Sequence, residues 1–499
     1  MRTSAISAAV VAAIASASAS AARIDVYVTG ASAQRNFWNA DIQALANCSA
    51  APNIVKWKGG SVNNFGSPDF TETACTSNGG GELKMTSGDI LAIHYSAELG
   101  SVMGVATALG HFGQHAPAGG LYPGVAYPAN HLFLQWNAGD CTGTTETDAG
   151  GANTCGNGTI VYGLEASTVA QCPNGAQGTD AMCAVTPSIV SHAPDIALAD
   201  LEPSKFENAI DWPAQIVADG LAANPAFKAL GNAPSAANIA AITGGSTLNG
   251  QVFMIGLGSV PGNPQNLSSA SISSIFQGNY TSWKAVPEVG AADAAGTPIT
   301  ICRRDNGSGT QVTSNATFTG GPECGLPGKK FKEATTATPT AGKVVLNTAT
   351  SKIDTCLTSI AGSIGILGLQ GNLNFAGVVN PTIDGVEANA HNAALGTYKY
   401  ISETWGVNLS GLGAATTMLA DAKTKAGLEL YPGKETAALN ASGTYHSAAP
   451  TGYYTLPIPG NGTSNTAANV TASPAVPNAA FTNGGDECAL KIQNNVNTP

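Results

Sequence analysis

Arg304-Asp305-Asn306-Gly307-Ser308-Gly309-Thr310 follows a short apolar strand, Ile299-Thr300-Ile301-Cys302, and leads into a helix. A Gly-Ser-Gly-Thr turn that opens a helix points backbone N–H groups and two hydroxyls at one spot. The first-turn N–H groups have no partner inside the helix, and the helix dipole favours an anion there. An arginine four residues before the serine adds a forked, charge-assisted contact. Together these make half a site for an oxyanion such as phosphate. An ordinary Gly-rich turn with a capping serine shares the pattern, so the rest of the chain has to decide.

Working outward, Ile24-Asp25-Val26-Tyr27-Val28 reads as a first strand. Thr29-Gly30-Ala31-Ser32-Ala33 follows, then a helix from about Gln34 to Leu45. This is again strand, small-residue turn, helix. Asp89 to Tyr95 reads as a strand, and Ser96 to Leu109 as a loop and helix. Pro194 to Asp200 is a short buried strand ending in a carboxylate, and Gln251 to Leu257 is another apolar strand. A short helix begins at Ile272, a second lies around Ala349–Ser359, and a strand follows at Ser363–Leu367. Strands alternating with helices predict parallel sheets and an α/β fold. Residues 110–190, rich in Gly, Ala, Asn and Thr with four cysteines, read as an insertion stapled by local disulfides. The last hundred residues, rich in Ala, Asn, Gly and Pro, read as an irregular extension.

The chain has 499 residues, enough for two or three domains. Met1-Arg2-Thr3, an Ala-rich apolar run to about Ile14 and Ala19-Ser20-Ala21 fit a cleaved secretory signal over residues 1–22. No cysteine stands at the cleavage point, so a soluble periplasmic or secreted protein without a lipid anchor is expected. Ten cysteines in an exported chain imply disulfides. Near-neighbour pairing would join Cys48–Cys75, Cys141–Cys155, Cys172–Cys183 and Cys302–Cys324, leaving Cys356–Cys488 to tie down the tail. Charged residues are only 11% of the chain and the net charge is −11. That argues against nucleic acid or an acidic membrane as partner. It leaves room for a small anion held by neutral dipoles and one arginine.

Five segments, in this order, resemble the periplasmic phosphate-binding protein of bacterial phosphate ABC importers, within the type II periplasmic binding proteins. Val28 to Ala33 resembles the family's T-G-A-G-A opening, and Asp195 to Asp200 its D-F-G-A-S-D strand. Ile275 to Trp283 is similar to I-F-x-G-K-I-x-x-W, Arg304 to Thr310 to R-S-D-G-S-G-T, and Gly362 to Gly365 to G-S-I-G-Y. The resemblance covers residues 24–45 and about 195–375. It implies two α/β lobes joined by a hinge, with an anion in the cleft. Lobe I would run over 23–250 with the insertion at 110–190, lobe II over 251–362, and the return to lobe I with the extension over 363–499. It also implies a binding protein rather than an enzyme, with no cofactor, capturing phosphate or a related oxyanion for uptake or scavenging and partnering an ABC importer membrane complex.

Carried over residue by residue, Ser32 and Ala33 would donate from lobe I, and Arg304, Ser308, Gly309 and Thr310 from lobe II. Asp200 would accept from a protonated phosphate oxygen and repel fully ionised sulfate. Three departures stand out. The family's aspartate inside the arginine motif is Asn306 here, with Asp305 one position earlier. The first loop lacks Phe-Pro. The family's middle donor serine has three candidates, Ser61, Ser96 and Ser101.

Other chemistries find less support. His111 and His115 are spaced as a helical metal pair, but Gly and Pro surround them and no third ligand is apparent, which favours a solvated loop. There is no G-x-S-x-G, no P-loop motif and no H-E-x-x-H. Asp195 and Asp200 are five residues apart on a strand, hence on opposite faces, so Asp195 is read as structural. Trp283 is read as a lobe-packing residue. An exported structural or adhesive protein that reuses the fold, with the insertion as its working surface, is the alternative. A phosphate-releasing enzyme is a weaker third reading.

Overall fold

The computed structural model describes residues 21–31, 34–50, 52–58, 68–96, 100–109, 131–135, 145–148, 151–154, 160–164, 188–205, 242, 244–304, 306–320, 324, 329–347, 350–369, 377–389, 392–393, 396–424, 453–455, 481–482 and 492–493. The strands that position the site are β1 (Arg23–Gly30), β2 (Asn53–Lys58), β3 (Pro68–Thr76), β4 (Ile90–Ser96), β5 (Ile160–Leu164), β6 (Ile196–Ala199), β7 (Ser246–Gly258), β8 (Thr300–Arg304), β9 (Val344–Asn347), β10 (Ser363–Gly368) and β11 (Ile401–Asn408). The helices are α1 (Arg35–Ala46), α2 (Ser101–Ala108), α3 (Ser269–Phe276), α4 (Gly309–Ser314), α5 (Thr350–Ser359) and α6 (Gly413–Thr424).

The result is a mixed α/β fold. One sheet runs in the order β9-β8-β10-β7-β11-β6-β1-β4-β3-β2-β5. In its first half β1 lies between β6 and β4, parallel to both. In its second half β8 lies between β9 and β10, again parallel to both. Strand β7 belongs to both halves. Its first part, from Ser246 to Val252, pairs with β11, and its second, from Phe253 to Gly258, pairs with β10. The chain crosses back at Tyr400–Ile401, where the Phe253 N–H donates to the Tyr400 carbonyl at 3.1 Å and Val252 stands opposite Ile401. The Tyr398 hydroxyl donates to the Phe253 carbonyl at 2.8 Å. The two crossings are therefore tied to each other at one residue.

Each half has its own core. Val26, Val28, Phe37, Trp38, Ile93 and Met418 pack between the first half of the sheet, α1 and α6. Ile255, Phe276, Trp283, Ile301, Leu357 and Ile364 pack in the second. Each such side chain contributes about 1.5–3 kcal/mol on burial. A smaller cluster bridges the halves: Val312 of α4 sits with Val102 and Met103 of α2, Ala197 and Ala199 of β6, and Trp405 of β11. Trp283 is fully buried and its indole N–H donates to the Gly362 carbonyl at 2.8 Å. Asp195 is structural. It exchanges hydrogen bonds with Tyr27, accepting from its N–H through Oδ2 at 2.9 Å and donating its own N–H to its carbonyl at 2.7 Å.

Several expectations change. The chain after residue 400 is not irregular from its start, since it opens with β11 in the middle of the sheet and continues into α6. β11 reads Ile-Ser-Glu-Thr-Trp-Gly-Val-Asn, and its Ser402, Glu403 and Thr404 are buried, so no apolar run announces it. The strand at 363–368, expected to open the return to lobe I, instead pairs with β8 and β7 in the second half. Cys48–Cys75 is bonded as expected. Cys302 is bonded to Cys356 rather than Cys324, and this also removes Cys356–Cys488. The cause is that α5 packs across β8 and brings Cys356 to a Cα separation of 6.0 Å from Cys302. Cys324 is itself disulfide-bonded. Cys141, Cys155, Cys172 and Cys183 lie outside the described residues. The insertion is not wholly separate, because β5 joins β2 in parallel and extends the sheet.

Candidate functional site

Asp200 follows β6 directly and is 5% exposed. Its backbone N–H donates to Ser101 Oγ at 2.9 Å, and the Ser101 hydroxyl donates to Asp200 Oδ2 at 3.0 Å. The other carboxylate oxygen, Oδ1, is buried with no protein partner. Burial pushes the Asp200 carboxyl up to about 6, against the opposing pull of the Ser101 hydrogen bond and the Arg304 charge. A buried acceptor without a donor is costly, so it marks a place where a donor from outside fits.

Ser101 is the first residue of α2, held down on β6 by small residues. A Cβ on Gly104 would stand 1.8 Å from the Leu198 carbonyl oxygen, and one on Gly30, 1.9 Å from the same oxygen. Only glycine at both positions lets α2 and the loop after β1 approach β6 this closely. Of the three candidate serines, Ser101 is the one hydrogen-bonded to Asp200. Ser96 is buried at the end of β4, and Ser61 lies outside the described residues.

From the other half, β8 delivers two arginines to opposite faces, as strand alternation requires. Arg303 is 2% exposed and is bound to Glu333 and to Asn306 Oδ1, the latter at 2.6 Å, with its guanidinium 5.4 Å from the Phe331 ring centre. Asn306 thus steadies Arg303. Arg304 acts electrostatically on Asp200. Its backbone N–H donates to Gln311 Oε1 at 3.0 Å, so a helix side chain closes the turn between β8 and α4. Gln311 Nε2 in turn donates to Asn315 at 2.8 Å.

Ser308 caps α4 in extended geometry, φ −75° and ψ 124°, and its hydroxyl makes no capping bond. Its carbonyl accepts from Gln311 and Val312. Gly309 and Thr310 are the first helical residues, so their N–H groups have no carbonyl ahead of them in the helix. The two halves meet here. The Val102 N–H donates to the Gly307 carbonyl at 3.3 Å. Gly309 faces both Ser101 and Asp200, at a separation that leaves no room for a side chain.

The structure therefore gathers Asp200, Ser308, Gly309 and Thr310, with Arg304 near enough to act on the carboxylate, and adds Ser101. Ser32 and Ala33 lie outside the described residues, as do Asp305, His111 and His115. Their neighbours are fixed: the Ala31 N–H donates to the Leu198 carbonyl at 3.0 Å, and the Tyr95 hydroxyl donates to the Ala31 carbonyl. Gln34, just past that loop, is fully buried and bonded to Asn249 of β7 and Thr404 of β11, at 3.3 and 3.0 Å. Sequence reasoning missed Gln34 and Gln311 because a lone glutamine carries no motif. Ser101 was legible only as one of three candidate serines. Among the described residues no three His, Cys, Asp or Glu side chains are placed to hold a metal ion. No described helix is long and apolar enough to cross a membrane.

Residues 234–467 match the model of a PBP superfamily domain. The match includes Arg304, Ser308, Gly309 and Thr310 and begins after Asp200. No curated protein matches the chain. Among solved structures, an ABC-type phosphate transport receptor from Vibrio cholerae is 15% identical over 37% of this chain and 68% of its own, with a TM-score of 0.27. A phosphate-binding protein from Stenotrophomonas maltophilia is 11% identical over 53% of this chain and 76% of its own, with a TM-score of 0.30. Superpositions this slight assign no residue a role. Residues 234–467, just under half of the chain, are therefore similar to a PBP superfamily domain.

Proposed function

We propose that this protein binds phosphate or a related oxyanion between its two halves and releases it unchanged. Ser32, Ala33 and the backbone N–H of Ser101 donate from the first half, and Arg304, Ser308, Gly309 and Thr310 from the second. Asp200 accepts from a protonated oxygen of the ligand. The observation that carries this reading is the buried, unpartnered Asp200 Oδ1 beside two helix starts and within the field of Arg304. An anion that keeps one proton, as phosphate does at neutral pH, offers what this set lacks: a donor for Asp200 and acceptors for every other group. Sulfate offers no proton and meets the carboxylate as a like charge.

The match to a PBP superfamily domain supports binding rather than catalysis. The apolar, Ala-rich start of the chain and its disulfides support action outside the cytoplasm, in capture for an ABC importer or in scavenging. Equilibrium dialysis of the mature protein against radiolabelled phosphate tests the reading. One equivalent of phosphate should be retained by wild type and lost on Arg304→Ala. No retention by wild type, or equal retention by the variant, would contradict it.

A further inference from the structure

Thr310, in the anion-binding reading above, offers its N–H and hydroxyl to the ligand, and a side-chain relay ties its carbonyl to the point where the chain crosses between halves. The Ser314 hydroxyl donates to the Thr310 carbonyl at 2.6 Å. The Tyr400 hydroxyl lies 2.5 Å from Ser314 Oγ. Serine has one proton, and the Thr310 carbonyl takes it. Ser314 Oγ must then accept from Tyr400, which gives a one-way relay, Tyr400 O–H to Ser314 O–H to Thr310 C=O. Each donor in such a chain polarises the next. Both side chains are sealed from water, Ser314 at 0% and Tyr400 at 1% exposure. Burial pushes the Tyr400 phenol well above its ordinary value, so it remains a protonated donor.

Tyr400 is also the second crossing point. Its carbonyl accepts from the Phe253 N–H, where β7 passes from one half to the other. Its ring packs against Phe253 at 5.4 Å and Phe318 at 4.8 Å between centres. Phe318 lies in Asn315–Thr319, where the helix widens into a π turn directly after α4. A serine bonded to the carbonyl four residues back bends a helix locally, and π turns recur at functional sites. One residue thus holds the crossing on its backbone and the anion-binding helix on its side chain.

We infer that Tyr400 is a positioning residue which, through Ser314, sets the first turn of α4 against the crossing strands so that the Gly309 and Thr310 N–H groups point at the ligand. The inference rests on the anion reading of the site. Tyr400→Phe keeps the ring packing and deletes only the relay, and Ser314→Ala deletes its middle. Each should weaken phosphate binding about tenfold, the effect of one buried hydrogen bond. The double variant should bind no worse than either single variant, because both break the same chain. Ligand-free Tyr400→Phe should melt somewhat below wild type, as loss of one buried hydrogen bond requires, and the further rise produced by saturating phosphate should also shrink.

A merely structural hydroxyl would lower the ligand-free melting temperature and leave phosphate affinity alone. That result, or additive losses in the double variant, would overturn the relay. If wild type binds phosphate and Tyr400→Phe binds it equally, the positioning role falls and the site stands. If wild type binds none, the site reading falls and takes this inference with it.

Discussion

Gly309 and Asp200 come from opposite halves of the molecule and sit so close that a Cβ on Gly309 would stand 2.5 Å from Asp200 Oδ2. The same Cβ would be 2.5 Å from Ser101 Oγ. Asp200 and Ser101 are themselves locked by two hydrogen bonds, so neither can retreat without breaking one. Gly309→Ala should therefore force the halves apart or displace Asp200. Overpacking of this kind typically costs about 1–3 kcal/mol. Phosphate affinity should fall at least tenfold, read by titration, with a smaller loss of thermal stability.

The two neighbouring arginines should behave differently. Arg304→Ala removes the half-buried charge that acts on Asp200 and should weaken phosphate binding by about 2–5 kcal/mol. Arg303→Ala strips Glu333 and Asn306 of their partner on the other face. It should lower the melting temperature and leave the phosphate dissociation constant within a few-fold of wild type. Titration and thermal unfolding of both variants check this. A loss of binding on Arg303→Ala alone would reverse the assignment.

Replacing Asp200 by Asn keeps the shape and removes the charge. The amide can donate to a fully ionised oxyanion, so sulfate should bind better and the preference for protonated phosphate should shrink. If Asp200 serves only to hold Ser101, the variant should lose stability at an unchanged phosphate-to-sulfate ratio. Competition at neutral pH separates the two outcomes.

The pH dependence follows from the carboxyl's environment. Burial raises Asp200 from its ordinary 3.8 to about 6, so the folded protein holds this proton more tightly than the unfolded chain. From this group alone, stability is greatest below about pH 4 and declines as pH rises through about 6, by about 3 kcal/mol. Asp200→Asn should flatten that decline in unfolding experiments on ligand-free protein. Below about pH 6 the protonated carboxyl becomes a donor, and wild type should then discriminate less against sulfate.

Much of the second half was legible because its strands are apolar and its turn carries dense chemistry. Thr300–Arg304 leads into Gly307-Ser308-Gly309 almost as the sequence alone suggests. The first half hid more. β3 buries Thr71, Glu72 and Thr73, and β11 buries Ser402, Glu403 and Thr404, so the usual apolar signal of a central strand is missing. The Cys302–Cys356 bond was not legible because nearness in sequence says nothing of a helix packed across a strand. Asn306 stood out in the sequence as a departure inside the arginine motif. The structure shows its partner to be Arg303, a distinction only strand alternation supplies.

The most direct measurement is a calorimetric titration of the mature wild-type protein with phosphate and then sulfate at neutral pH. Saturable one-to-one binding of phosphate is predicted, with sulfate weaker by at least about tenfold, or 1.4 kcal/mol. No saturable heat with phosphate, or equal affinity for the two anions, would contradict a cleft built around Asp200 as acceptor.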